Sequence, residues 1–400
     1  MFVDSLSEIS SKIVAKCLTE GSYKHLDINL NASLSDQVFS KLTELTDYNY
    51  SPVIAKETGL KLNLSNFDTE GLPVSREDLV NLSRHEIRSL AIGLVKIFHV
   101  PEYRIGKNRD QIDIERVLKT CLNERSRQNL RHLSCDFFEC FPNGWSESIG
   151  ELLPNLLSFS PVGMDNLTGI GHLKNLQILT FDDSSFDSTE QLKDVFELPN
   201  LRVLNIRYCY SFFETLLFCN GTFQNLKLID CFDSEITETQ LRTLVERNPS
   251  LETISLLGTP CDYTDFSDLS VTVLNLATIQ STMNSLGYKL NQKFGCSYRW
   301  EVVMTVNRLA VLLETEGGFK EDEFLKLMMK VTQKCPIFGG EENGVAKCLI
   351  QYFKRFFPDQ SMAEILQKLD PRDPLFVERR WAAQTVLILS RACPFQSNLS

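Results

Sequence analysis

No run of about 18 uncharged apolar residues occurs in this 400-residue chain, so no membrane-spanning helix is expected. The opening stretch MFVDSLSEISSKIVAKCL is interrupted by Asp4, Glu8, Lys12 and Lys16 and lacks the continuous apolar centre of a secretory signal peptide. Histidine is scarce. His25, His85, His99, His132 and His172 stand alone, none in metal-ligand spacing with a cysteine or a carboxylate. No two cysteines form a C-x-x-C pair. The phosphate-cradling GxxxxGK[ST] loop, the dinucleotide fingerprint GxGxxG and the nucleophile elbow GxSxG are all missing. Gly317-Gly318 and Gly339-Gly340 read as turns. With these gone, the reading is of a protein that catalyses nothing and needs no cofactor and no metal.

Basic charge is also short. The formal net charge is −11, spread along the chain without a long acidic tail. Nucleic-acid binding needs a basic surface that displaces counterions, so no nucleic-acid partner is expected. Twelve cysteines are scattered from Cys17 to Cys393, mostly among apolar residues. Without a secretory signal they read as small buried thiols in a reducing compartment, which points to cytoplasm or nucleus. The remaining balance, 43% hydrophobic and 23% charged, is that of a folded protein.

What is present is a repeat. Six segments follow Leu-x-x-Leu-x-Leu with substitutions, starting at Leu130, Leu156, Leu176, Leu201, Leu226 and Leu251. The starts are 26, 20, 25, 25 and 25 residues apart, within the range of leucine-rich repeats. Asn129, Asn155, Asn175, Asn200 and Asn225 each precede a first leucine, and Ser250 takes that place in the sixth. The last two apolar positions of each unit are two apart, the period of a strand with one buried face. The remainder holds a return segment, as at Glu238 to Arg247, where Leu241, Leu244 and Val245 share one helical side. One unit cannot bury its own apolar edge, whereas a stack makes a continuous core. Leu26 to Leu30, Leu60 to Leu64 and Ile87 to Ile92 are candidate earlier copies.

Residues between the core leucines are expected on the concave sheet face. Asp136, Asp182, Asn205, Arg207, Asp230, Phe232 and Leu257 are the candidate target-binding set. Mixed polar and apolar chemistry of this kind suits a protein or peptide partner; a plain spacer is the competing reading.

Both ends differ from the repeats. Ser5 with Glu8 forms an S-x-x-E capping box, followed by Leu6, Ile9, Ile13, Cys17 and Leu18 on one helical side. Such a helix either caps the solenoid or docks into a groove on a partner. After about Gly295 helical stripes take over: Phe324 to Val331, Val345 to Phe356, and Val377, Trp381, Thr385, Val386 and Leu389. At about 40 residues per unit this stretch holds about two armadillo-type repeats.

This order of parts resembles the Zyg-eleven and Zer family of substrate receptors for cullin-two RING ubiquitin ligases. The likeness is most specific from Ile236-Thr-Glu-Thr-Gln-Leu241 through Asn248-Pro-Ser-Leu251-Glu-Thr-Ile254-Ser-Leu-Leu257-Gly-Thr. In that family the N-terminal helix is an elongin C-binding box: a small residue, Leu, three residues, Cys, three residues, an aliphatic. Ser5, Leu6, Ser10 and Val14 occupy those positions, with Ser10 in place of Cys. A cullin-contact box follows, to which Leu34, Ser35 and Val38 are similar, with Ser35 where Pro is expected. The family's Trp-Asn-Leu-Thr motif for glycine N-termini is absent, so that specificity is not expected; Trp381 reads as core. No Leu-Pro-x-Glu opening of an F-box is present.

The expectation is therefore an α/β solenoid, a leucine-rich-repeat horseshoe with an N-terminal capping or docking helix and a short armadillo-like all-α segment. Residues 1–50 form the box-like region, 51–295 the repeats (clearest over 126–260) and 296–400 the helices. The resemblance implies a substrate-recognition adaptor of a cullin-RING ubiquitin ligase, recruiting targets through elongin C and a cullin-two-type scaffold. The alternative is an interaction scaffold without the ligase link.

Overall fold

A computed structural model describes residues 6–45, 50–136, 141–164, 166–184, 186, 188–292, 298–315, 318–334 and 344–392. The chain divides into two compact units at Ile254/Ser255. Composition alone put the change of character at 295/296.

The first unit is built on a parallel sheet. Strands Asn66–Pro73, Ser89–Gly93, His132–Asp136, Ser158–Val162, Ile178–Asp182, Val203–Arg207 and Leu228–Asp230 lie side by side in chain order. The fourth residue of each repeat is in register with the next: Leu133 with Phe159, Phe159 with Leu179, Leu179 with Leu204, Leu204 with Ile229. All five are buried. Stacking equivalent residues is what lets units that cannot fold singly share one core. Four of the asparagines before a first leucine tie the stack together, whereas Asn129 bonds to Arg125 O four residues before it. Asn155, Asn175, Asn200 and Asn225 each donate an Nδ2 hydrogen bond to a carbonyl of the preceding unit, at Gln128, Pro154, Lys174 and Pro199, over 2.8–3.0 Å. Ser250 does the same with its hydroxyl to Leu226.

Repeat length decides the return segment. The 20-residue step from Leu156 to Leu176 leaves room only for the three-residue turn Ile170–His172. The next steps of 25 accommodate Thr189–Leu192 with Lys193–Glu197, then Phe212–Phe218, then Glu238–Arg247. The last has the buried Leu241, Leu244 and Val245 expected of it, and a capping box from Thr237 and Gln240. Phe181, Phe186 and Phe212 pack ring against ring at 5.5–5.7 Å beneath the sheet.

The early copies behave differently. Ile87 to Ile92 supplies a strand of the main sheet. Leu26 to Leu30 and Leu60 to Leu64 do not; Ile28–Asn29 and Leu60–Lys61 pair in a separate two-stranded sheet. The strand Asn66–Pro73, which follows them, takes the place beside Ser89–Gly93 instead.

In the second unit the strand Thr272–Leu274 is followed by helix Ile279–Lys289. Its Ile279, Met283 and Leu286 share one core with Val302 and Leu309 of Tyr298–Thr315, Phe324 and Met328 of Glu321–Lys334, and Leu349 and Phe353 of Gly344–Phe356. That shared core explains why the unit begins before 295. The last helix, Phe376–Ala392, buries Ala382, Ala383 and Val386. Val377 is 65% exposed, so the inward stripe is smaller in side chain than the sequence pattern indicated. Trp381 is partly buried against the same core.

The described cysteines carry free thiols, and Cys121, Cys135, Cys209, Cys231, Cys261 and Cys348 are buried. Burial pushes the Cys121 thiol up to about 12, so it packs as a small apolar group and not as a nucleophile.

Candidate interaction surfaces

Helix Leu6–Thr19 packs on helix Ala32–Thr43 with Ser11, Ala15 and Leu18 turned inward. The Ser7 hydroxyl donates to Gln37 Oε1 across the pair at 2.8 Å. The small Ser11 and Ala15 let the helices approach closely. The apolar side read from the sequence is therefore split. Leu18 is buried, whereas Leu6 is 81% and Ile13 56% exposed. Ser10 is exposed as well, and Val14 is half-buried. Spacings of four and three or four put Leu6, Ser10, Ile13 and Val14 on one ridge of the helix. Ser5 lies outside the described residues.

The second box is largely internal. Asn31 caps Ala32–Thr43 by accepting from Leu34 N. Ser35 is fully buried. Its backbone N–H donates to Asn31 O at 2.9 Å, a bond that proline cannot make. Its hydroxyl donates to Asn31 O at 2.7 Å and accepts from Asn63 N at 2.9 Å. Val38 is buried in the core. Of the three residues only Leu34, 44% exposed, faces solvent.

On the sheet, Asn205 Nδ2 donates to Thr180 Oγ1 at 3.0 Å, and the register sets Asn205 beside both Thr180 and Asp230. Arg207 is in register with Asp182, and its guanidinium lies 3.7 Å from the buried Asp230 carboxylate. The same guanidinium is 5.6 Å from the centre of the Phe232 ring. Asp182, Asn205 and Arg207 are half-buried and reach the surface. Phe232 and Leu257, expected beside them, are buried instead. The cause is strand length. Leu228–Asp230 and Thr253–Ser255 are three residues long, against five in Val203–Arg207, so inward–outward alternation ends before positions 232 and 257. Asp136 ends a strand, but its side chain lies outside the described residues. Asp230 is in the row predicted for it, yet it is fully buried and its contact with a partner would pass through Arg207.

Sequence reasoning did not separate buried from exposed residues at the strand ends. Asn205 and Arg207, expected in two neighbouring rows, are half-buried strand positions in register with Thr180 and Asp182. Among the described residues, no helix is long and apolar enough to cross a membrane.

A family model described as "FBD-associated F-box protein At5g56370, LRR repeats" matches residues 164–290. Residues 164–290 are thus similar to leucine-rich repeats, in keeping with the parallel strands and return helices found there. Gastrulation-defective protein 3 of Caenorhabditis elegans is 27% identical to it over 326 residues, covering 72% of this chain and 45% of that protein. The chain thus spans less than half the length of that relative. This similarity fits the resemblance to the Zyg-eleven and Zer receptors. A repeat α/β architecture is the property that the match and the geometry share.

Proposed function

We propose that this leucine-rich-repeat protein is a substrate-recognition adaptor of a cullin-RING ubiquitin ligase. Helix Leu6–Thr19 engages elongin C, and the half-buried Asp182, Asn205 and Arg207 of two neighbouring rows engage the target. The protein works by contact in the cytoplasm or nucleus. Ubiquitin transfer is left to the partners, and the contribution of this chain is proximity. The observation that carries the reading is the exposure of Leu6 and Ile13 on a helix whose other side is already packed. A second apolar side left in water on an anchored helix is what helix-in-groove recognition uses. The similarity to the Zyg-eleven and Zer receptors supports the same reading.

A scaffold without the ligase link is favoured by two specific observations. Ser10 stands where the family has Cys, and Ser35 and Val38 are built into the core. Recovering the whole chain from cytosolic extract and probing for elongin C and the cullin tests the choice. Both present in the wild type and absent with Leu6→Asp supports the adaptor. Neither present, with the protein folded, leaves the scaffold.

A further inference from the structure

A cleft of about 360 Å³ opens over residues 56–65 and 84–88 of the first unit, bordered by Ala32 at the start of helix Ala32–Thr43. Three of its lining side chains are cations: Lys56, Arg84 and Arg88. In a chain of net charge −11 such a concentration runs against the average. The acidic residue in the lining, Glu86, is ion-paired with Arg125. Asp36, nearby on helix Ala32–Thr43, accepts from Ser65 N, Ser65 Oγ and Asn66 N with its two carboxylate oxygens. Both carboxylates keep their charge, but Glu86 shares its own with Arg125, so cations still outnumber anions around the cleft.

Two of these groups are held in place by hydrogen bonds. Lys56 follows helix Ser51–Ile54 in a left-handed turn, with φ of 58°, and its ammonium donates to Asn63 Oδ1 at 2.7 Å. Arg84 Nη1 donates to Ala55 O at 2.7 Å. An ammonium has three donors and a guanidinium five, so both keep donors for a ligand. The Arg88 guanidinium has no ion-pair partner among the described residues. Between them His85 adds no charge: its Nδ1 accepts from Leu64 N, so Nε2 carries the proton toward Ile54 O at 2.8 Å. Burial, then the neighbouring Arg84, hold the Lys56 ammonium below its usual range. An anion in the cleft relieves that crowding.

We propose that this cleft binds a phosphoryl group carried on a side chain of a partner peptide. A phosphomonoester brings about two negative charges and three acceptor oxygens, which matches three cations lining one cleft better than the single charge of a carboxylate. The volume exceeds that of the bare anion and leaves room for the side chain to which it is attached. The proposal stands apart from the ligase reading and holds for an adaptor or a scaffold.

The test uses the full chain and two fluorescein-labelled degenerate peptide pools, one centred on phosphoserine and one on serine, read by anisotropy. The expected result is binding of the phosphoserine pool about tenfold or more tighter than the serine pool. Inorganic phosphate competes for the site. Arg88→Glu removes the preference and Lys174→Gln, an exposed lysine elsewhere, keeps it. If Arg88→Glu melts early, Arg88→Gln must show the same loss at wild-type melting temperature. Equal binding of the two pools overturns the proposal. So does equal weakening by Lys174→Gln, which would mean diffuse charge. Binding of inorganic phosphate with no preference for the phosphoserine pool overturns the peptide source.

Discussion

The ammonium of Lys289 lies 2.6 Å from the carboxylate of Glu301, and both side chains are buried. The pair joins helix Ile279–Lys289 to helix Tyr298–Thr315 inside the second unit. Two charges removed from water are tolerated only while each has the other, and removing one leaves an uncompensated buried charge. Glu301→Gln is therefore expected to cost about 3–5 kcal/mol of unfolding free energy, whereas replacing both by apolar residues of similar volume costs far less. Urea unfolding of the single and double variants checks this; equal losses would contradict it.

The asparagine ladder makes a second prediction. Asn200 Nδ2 reaches back 2.9 Å to Lys174 O, and its equivalents repeat the bond from unit to unit. Asn200→Ala removes one such link at a partly solvated site, so the expected cost is about 1 kcal/mol. Because stability in a stack is a sum of units and their interfaces, Asn175→Ala should add to it nearly in full. Chemical denaturation of the two single variants and the double variant measures both statements.

His85 predicts a pH dependence. Burial lowers its pKa to about 4, and it is neutral while Nδ1 accepts from Leu64 N. The folded state thus binds its proton less readily than the unfolded chain, whose histidine titrates near 6.5. The stability held by neutral His85 is complete above about 6.5 and is lost as pH falls from there toward 4, by about 3 kcal/mol in all. Urea midpoints taken from pH 7 to pH 4 should fall more steeply for the wild type than for His85→Gln. Parallel curves would contradict the assignment.

Much of this was legible in the sequence, and the rest fails for identifiable reasons. The LxxLxL phase located the strands because a strand with one buried face must alternate, and Leu179, Leu204 and Ile229 are in register accordingly. The same alternation misplaced Phe232 and Leu257, since periodicity carries no signal for where a strand stops. Ser35 matches a box position by spacing, yet its hydroxyl also accepts from the backbone N–H of Asn63, nearly thirty positions away, which spacing does not reveal. The Leu6 helix had two possible inward faces. Small residues at Ser11 and Ala15 decided between them, and small residues weigh little in a hydrophobic pattern.

That choice of face has its own consequence. Ala15 is buried and Leu6 is exposed, so the two positions respond oppositely to a charge. Ala15→Asp is expected to undo the helix pairing at a cost of several kcal/mol, roughly the penalty for an unpaired buried charge. Leu6→Asp should leave stability within about 0.5 kcal/mol, as for other surface substitutions. Thermal melting of both variants separates a docking ridge from a cap: if Leu6→Asp unfolds the protein, the ridge is structural.

The most direct measurement is a calorimetric titration of purified elongin C into the whole chain and into its Leu6→Asp variant. Saturable binding to the wild type is expected, and none to a variant that melts at the wild-type temperature. Absence of binding to the folded wild type, or equal binding by both proteins, would contradict the adaptor reading.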